Sequence, residues 1–157
     1  MSTAGGFQHF GTALFKSLSG ADFTILLYKG GLPAMIDVMG GQAHMTVGSI
    51  VQSIPHIRSG KLKPIATGGT VRATSLPDLP TIAEAGVKGY EVSTWYGVLA
   101  PAKTSKAIVT KLHGEIIKLI AVPDTREKLL TQGFEPVGST PDEFGAYIKS
   151  EIAKWAK

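Results

Sequence analysis

Three short stretches of this chain carry residue types that hold small anions: Ser2-Thr3-Ala4-Gly5-Gly6, Tyr28-Lys29-Gly30-Gly31 and Val47-Gly48-Ser49. Each is rich in glycine or small hydroxyl residues and runs into a segment with helical patterning. The first N–H groups of a helix have no acceptor within it, and the helix dipole adds partial positive charge at that end. A helix start is therefore ready to take an anion, and glycine lets the backbone come close to it. Taken singly, each stretch is an ordinary strand-to-helix turn; taken together, they suit a pocket for a small carboxylate. Ser2, Thr3, Gly5 and Gly6 are the candidate donors to the carboxylate, with Tyr28, Gly48 and Ser49 bordering the pocket.

The histidines carry less. His9 falls in the first turn of the opening helix, about 200° around from Phe7 at roughly 100° per residue, so it is expected off the core stripe. There it either hydrogen-bonds a carboxylate or simply packs beside the helix start. No two of His9, His44, His56 and His113 stand at i and i+4, so no metal site is expected, and no cofactor. For nucleophilic catalysis, Ser49 with His56 seven residues later is the best pairing available. Thr46-Val47-Gly48-Ser49-Ile50 lacks the G-x-S-x-G elbow, however, and no acidic pair converges. The chain is expected not to be an enzyme. The alternative is a small α/β enzyme using Ser49 or His9, or a sensor module built on the same binding lobe.

The elements that must position these residues alternate between helix and strand, which predicts an α/β fold with a parallel sheet. Gly5-Gly6 opens a helix with Phe7, Phe10, Leu14 and Leu18 on its apolar stripe, and Gly20 closes it. Residues 23–28 read as a strand, Pro33 to Met39 as a helix stopped by Gly40-Gly41, and residues 43–47 as a short strand. Ser49 starts a helix that ends near Arg58 and Gly60, and residues 62–67 form another strand. Thr81 and Glu84 have capping-box spacing, with Gly86 as the stop. Residues 90–99 have strand composition. Helices then follow over 105–121, from Pro123 to Gly133, and from Thr140-Pro141-Asp142-Glu143 onward. Three amphipathic helices after residue 100 have little strand left to cover.

With 157 residues, 43% of them hydrophobic and 18% charged, the composition is globular, and no apolar run nears the roughly 20 residues of a membrane span. The start has no basic segment leading into an apolar core, so no secretory signal is expected. There is no cysteine, which removes disulfides and thiolate chemistry. The net charge of +4 is spread along the chain; it argues against nucleic acid as a partner and mildly favours anionic ligands.

Several segments in order complete the reading: Tyr28-Lys29-Gly30-Gly31-Leu32-Pro33-Ala34-Met35, Gly40-Gly41-Gln42, Ile54-Pro55-His56-Ile57 and Gly60-Lys61-Leu62-Lys63-Pro64-Ile65-Ala66. After them come Leu76-Pro77-Asp78-Leu79-Pro80-Thr81-Ile82-Ala83-Glu84-Ala85-Gly86, Gly89-Tyr90-Glu91-Val92, Trp95-Tyr96-Gly97, Pro101-Ala102 and Glu135-Pro136-Val137-Gly138. Across essentially the whole chain this set resembles the substrate-binding receptors of tripartite tricarboxylate transporters, the Bug-type periplasmic proteins. The resemblance implies a periplasmic-binding-protein-like (type II) α/β fold whose two lobes close on a small carboxylate. It also implies a periplasmic setting and transient partnership with membrane transporter subunits. Measured against the family, the chain resembles a form truncated at the front. Residues 1–92 would be the second lobe, and 93–157 the crossing strand and helical tail of an incomplete first lobe, prone to self-association. Tyr96 would lie near the hinge. Two departures from the family pattern are visible: Thr3 where a glycine is common, and Gly48-Ser49 where an Asp-Asn pair is frequent. Without that acid, a ligand carrying an ammonium is disfavoured.

Overall fold

The computed structural model describes residues 1–4 and 6–156, the side chains of residues 2–4 excepted. It divides into two compact units, Met1–Tyr96 and Gly97–Lys157.

In the first unit, β1 (Ser2–Ala4) pairs in parallel with β2 (Leu26–Tyr28), with Ser2 opposite Leu26 and Ala4 opposite Tyr28. Because the register is level and the direction shared, the chain leaves both strands at the same edge. It enters α1 (Phe7–Ser19) after β1 and α2 (Gly31–Met39) after β2. The third helix, α3 (Ile50–Arg58), follows from Ser49. Gly20 ends α1 in the left-handed conformation (φ 65°), returning its N–H to the Lys16 carbonyl, as expected of a glycine stop.

The core of this unit is small and tight. Ala34, Met35, Ala43, Ile54, Tyr90 and Val92 are buried, together with Thr12, Ser49, Thr67 and Thr81. The face that α1 turns inward is not the expected phenylalanine–leucine stripe. Phe10 and Leu18 are 49% and 43% exposed, and Gly11 and Thr12 are the buried positions. The reason is steric: a methyl on Gly11 would stand 3.1 Å from Val92 Cγ1 and 3.2 Å from the Tyr90 hydroxyl. Only a residue without a side chain lets the 90–92 segment lie this close. Tyr90 donates to the Gly11 carbonyl at 3.3 Å and meets Phe15 edge-on at 6.2 Å.

Strand expectations contract. The run 23–28 is a strand only over its last three residues, and residues 62–67 are reduced to one parallel bridge from Thr67 to Thr81. Pro64 offers no N–H to a ladder. Val92 donates to the Gly68 carbonyl at 2.8 Å, but no ladder continues over 93–99 or 135–137 among the described residues. The Thr81–Glu84 box forms reciprocally, with bonds of 2.9 and 3.0 Å, yet it closes a single turn because Gly86 (φ 114°) stops it. Arg72 braces that turn through a 2.9 Å ion pair with Glu84.

The second unit consists of α4 (Lys106–Ala121), α5 (Pro123–Thr131) and α6 (Pro141–Trp155). None of its described residues is buried. Ile116, Ile117 and Ile120 are partly covered, the latter two by the Gly138 turn, whereas Ile108 and Leu112 are 53% and 52% exposed. Local bonds hold the helices. Ser105 caps α4 by accepting from the Ile108 N–H at 3.4 Å, and Thr140 with Glu143 forms a full capping box on α6. His113 Nε2 lies 3.1 Å from the Ser139 carbonyl, and the Phe144 ring presses directly against Gly97.

Candidate ligand-binding site

α4 and α6 begin with a side-chain cap, and α5 and α6 carry an acid in the first turn; α1, α2 and α3 have neither. Gly6 (φ 74°) precedes α1 and Gly30 (φ 123°) precedes α2, both in backbone conformations that side chains rarely adopt. Three helices of the first unit thus present their opening N–H groups without a competing carboxylate or hydroxyl.

These openings converge. A methyl placed on Gly31, the first residue of α2, would sit 2.8 Å from Gln52 Oε1 and 2.9 Å from Gln8 Nε2. Gln8 is in the first turn of α1 and Gln52 in the first turn of α3, so all three helix starts meet around one glycine. The level β1–β2 register is what brings the first two together, and Ser49 brings the third.

Ser49 is buried, 7% exposed, and precedes α3 without capping it. Its Oγ lies 3.4 Å from the Tyr96 hydroxyl, while its carbonyl accepts from the Ser53 N–H and from Ser53 Oγ. The group beside its hydroxyl is a phenol and not an imidazole, which gives the serine no general base there. Gly48, just before it, has open space for a methyl except toward Ser53 Oγ at 3.5 Å. Tyr28, at the end of β2, donates to Asp37 Oδ2 at 2.6 Å. That bond, with desolvation and the Asp37 charge behind it, raises the tyrosine above its ordinary 10.0. The Tyr28 proton is therefore committed to Asp37, and only the lone pairs of its oxygen remain for a ligand.

His9 is partly buried, its ring 6.3 Å from Phe10, and its Nδ1 is buried with no hydrogen-bond partner among the described residues. A helical-wheel position off the stripe does not expose it here, because the stripe itself is shifted to Gly11 and Thr12. Ser2 and Thr3 place their backbone in β1; their side chains, and the whole of Gly5, lie outside the described residues. Gln8 and Gln52 were not singled out from the sequence. The available signal was Ser49-Ile50-Val51-Gln52, which has capping-box spacing but no box in the structure. Among the described residues no group of three His, Cys, Asp or Glu side chains is arranged to hold a metal.

Comparison with known proteins decides what kind of site this is. A family profile described as the tripartite tricarboxylate transporter family receptor matches residues 2–157. The chain belongs to that receptor family. Among curated relatives of the family, the chain is 33% identical to Protein BugT of Bordetella pertussis over 156 residues, 99% of this chain and 48% of that protein. Among solved receptor structures, one of Rpa4515 from R. palustris with adipate superposes with a TM-score of 0.92 at 34% identity. It is matched over 99% of this chain and 54% of that one. MatC from Rhodopseudomonas palustris with bound malate superposes with a TM-score of 0.83 at 28% identity, over 99% and 55% of the two chains. The fold is thus that of the family's α/β binding proteins, and the chain spans about half the length of these relatives. The family is one of receptors, so neither Ser49 nor His9 is assigned an enzymatic role.

Proposed function

We infer that this chain forms part of a periplasmic solute receptor that captures a small carboxylate and hands it to membrane transporter subunits without altering it. The observation that carries the reading is the meeting of three uncapped, acid-free helix starts around Gly31. Backbone N–H groups of α1, α2 and α3 receive the carboxylate, with Gly6, Gly48 and Ser49 giving close approach and Tyr96 closing one side. Ser2, Thr3 and Gly5 belong to the same cradle by chain position, and His9 directs a ring nitrogen toward it. The adipate and malate held by the two R. palustris proteins favour a small carboxylate here as well.

Residues 1–92 act as one lobe of the clamp, and residues 93–157 as the crossing strand and helices of the other. Support for this comes from the second unit, whose described residues include none that is buried. Its exposed apolar positions (Ile108, Leu112 and Leu119 on α4) lead to self-association of the chain when it is alone. Closure on ligand follows from differential contacts in the closed state. With one wall only, two or three charge-assisted bonds of about 1.5–3 kcal/mol each face an association cost of roughly 4–15 kcal/mol. Calorimetry with adipate and with malate tests the reading: dissociation constants in the millimolar range or weaker are expected. Micromolar binding would show that a complete site is present in these residues, and no binding of any carboxylate at high millimolar ligand would end the receptor reading.

A further inference from the structure

We propose that Gln8 and Gln52 are specificity-determining residues, an amide pair over Gly31 that reads a hydroxyl group on the bound acid. The proposal rests on the receptor reading above and names what the same site selects.

Ser49 and Gln52 stand at the spacing at which a helix normally caps itself, the serine accepting from the third N–H and the glutamine reaching back to the first. Neither half of that box forms. The Ser49 hydroxyl turns to Tyr96, and the Gln52 amide lies over Gly31 beside the Gln8 amide. Among the described residues neither amide has a hydrogen-bond partner, although each group has two donors and an acceptor to satisfy. Where local chemistry favours one arrangement and the structure holds another, the departure marks a functional position.

The chemistry of the pair follows from what surrounds it. Helix starts supply donors only, which is what a carboxylate requires. The amide oxygens of Gln8 and Gln52 add uncharged acceptors at the same place, and an acceptor calls for a donor on the ligand. A plain diacid at neutral pH has none. An ammonium has donors but also a charge, and no carboxylate has been found at the meeting point of the helix starts to balance it. A hydroxyl donates to one amide and accepts from the other, so a hydroxycarboxylate satisfies both. Gly31 is needed for the arrangement: any side chain at that position would displace both amide ends.

The test uses malate and succinate, which differ only by a hydroxyl, and the ¹⁵N-labelled chain. It contains four glutamines (Gln8, Gln42, Gln52 and Gln132) and no asparagine, so its side-chain amide signals are few. Backbone amides at the starts of α1, α2 and α3 are expected to shift with both acids. The side-chain amides of Gln8 and Gln52 shift with malate, which binds about tenfold more tightly, the worth of one ordinary hydrogen bond. Gln52→Leu and Gln8→Leu each bring the malate-to-succinate ratio close to one, and Gln132→Leu leaves it alone. Gly31→Ala also collapses the ratio without lowering the melting temperature, since only flexible side-chain ends must move. Equal affinity for the two acids, or glutamine variants that weaken both alike, would overturn the assignment while leaving the receptor reading intact. Silence of the helix-start amides with both acids would remove the receptor reading, and this assignment with it.

Discussion

Tyr28 and Asp37 join the end of β2 to the body of α2 through a 2.6 Å hydrogen bond with the tyrosine as donor. The bond fixes the Lys29–Gly30 turn between them, and with it the angle at which α2 presents Gly31. Because the bond is to the neutral phenol, the Tyr28 ionisation is raised above 10.0. Spectrophotometric titration is expected to show one tyrosine lowered by Asp37→Asn, and Tyr28→Phe should remove that same transition. A titration curve unchanged by Asp37→Asn would mean the pair is not formed in solution.

Gly68 and Gly31 make a matched pair of tests for two kinds of glycine. A methyl on Gly68 would run into the Val92 backbone carbonyl, which cannot move without breaking the Val92–Gly68 hydrogen bond. Gly68→Ala is expected to destabilise the first unit by about 1–3 kcal/mol, as overpacking of a tight site does. Thermal melts of the two alanine variants should therefore separate clearly, Gly68→Ala low and Gly31→Ala near the parent. Equal melting temperatures would contradict the close approach of residues 68 and 92.

Burial pushes the Tyr90 hydroxyl up to about 12. In the unfolded chain a tyrosine loses its proton near 10, so the unfolded state binds fewer protons between those values and stability falls as pH rises from about 10 to about 12. The alkaline limb of a stability–pH profile should be shallower in Tyr90→Phe, which cannot ionise. Tyr28 contributes to the same limb, so Tyr90→Phe reduces the slope without abolishing it.

The acid limb belongs to Glu143 and Glu84. Glu143 is held below 4.5 by bonds from the Thr140 N–H and hydroxyl, and Glu84 by the Thr81 N–H and then by Arg72. Depressed carboxylates stabilise the fold above their unfolded values, and the contribution is lost as pH falls through the folded ones. Circular dichroism of Glu143→Gln should show α6 already weakened at neutral pH and less sensitive to acid below about 4.5. Thr140→Ala should weaken it too, by about 1 kcal/mol as for other lost caps.

Helix limits were legible because they are punctuated locally. Gly20 stops α1, Gly60 follows α3, Pro123 opens α5 and Thr140 with Glu143 opens α6, each through a device that depends on a few adjacent residues. Strands were less legible, since a strand exists only with a neighbour to bond. Residues 90–99 have the right composition, yet only Val92 finds a backbone partner, at Gly68. The inward face of α1 was misread because hydrophobic periodicity ranks Phe10 above Gly11, whereas close packing against Tyr90 and Val92 demands the smaller residue. At the site, the three glycine- and hydroxyl-rich openings were visible in order and spacing. Gln8 and Gln52 were not, because glutamine is a commonplace residue in the first turn of a helix and only the fold brings these two together.

Bare openings on α1, α2 and α3 leave the protein less stable than its sequence length would permit. An aspartate or serine installed to tie down each of those ends is the sort of change a thermostability campaign selects, at up to ~1 kcal/mol apiece. Every such gain would occupy the N–H groups with a tethered oxygen that no solute could dislodge, so the hardiest version of this lobe would also be deaf to its signal.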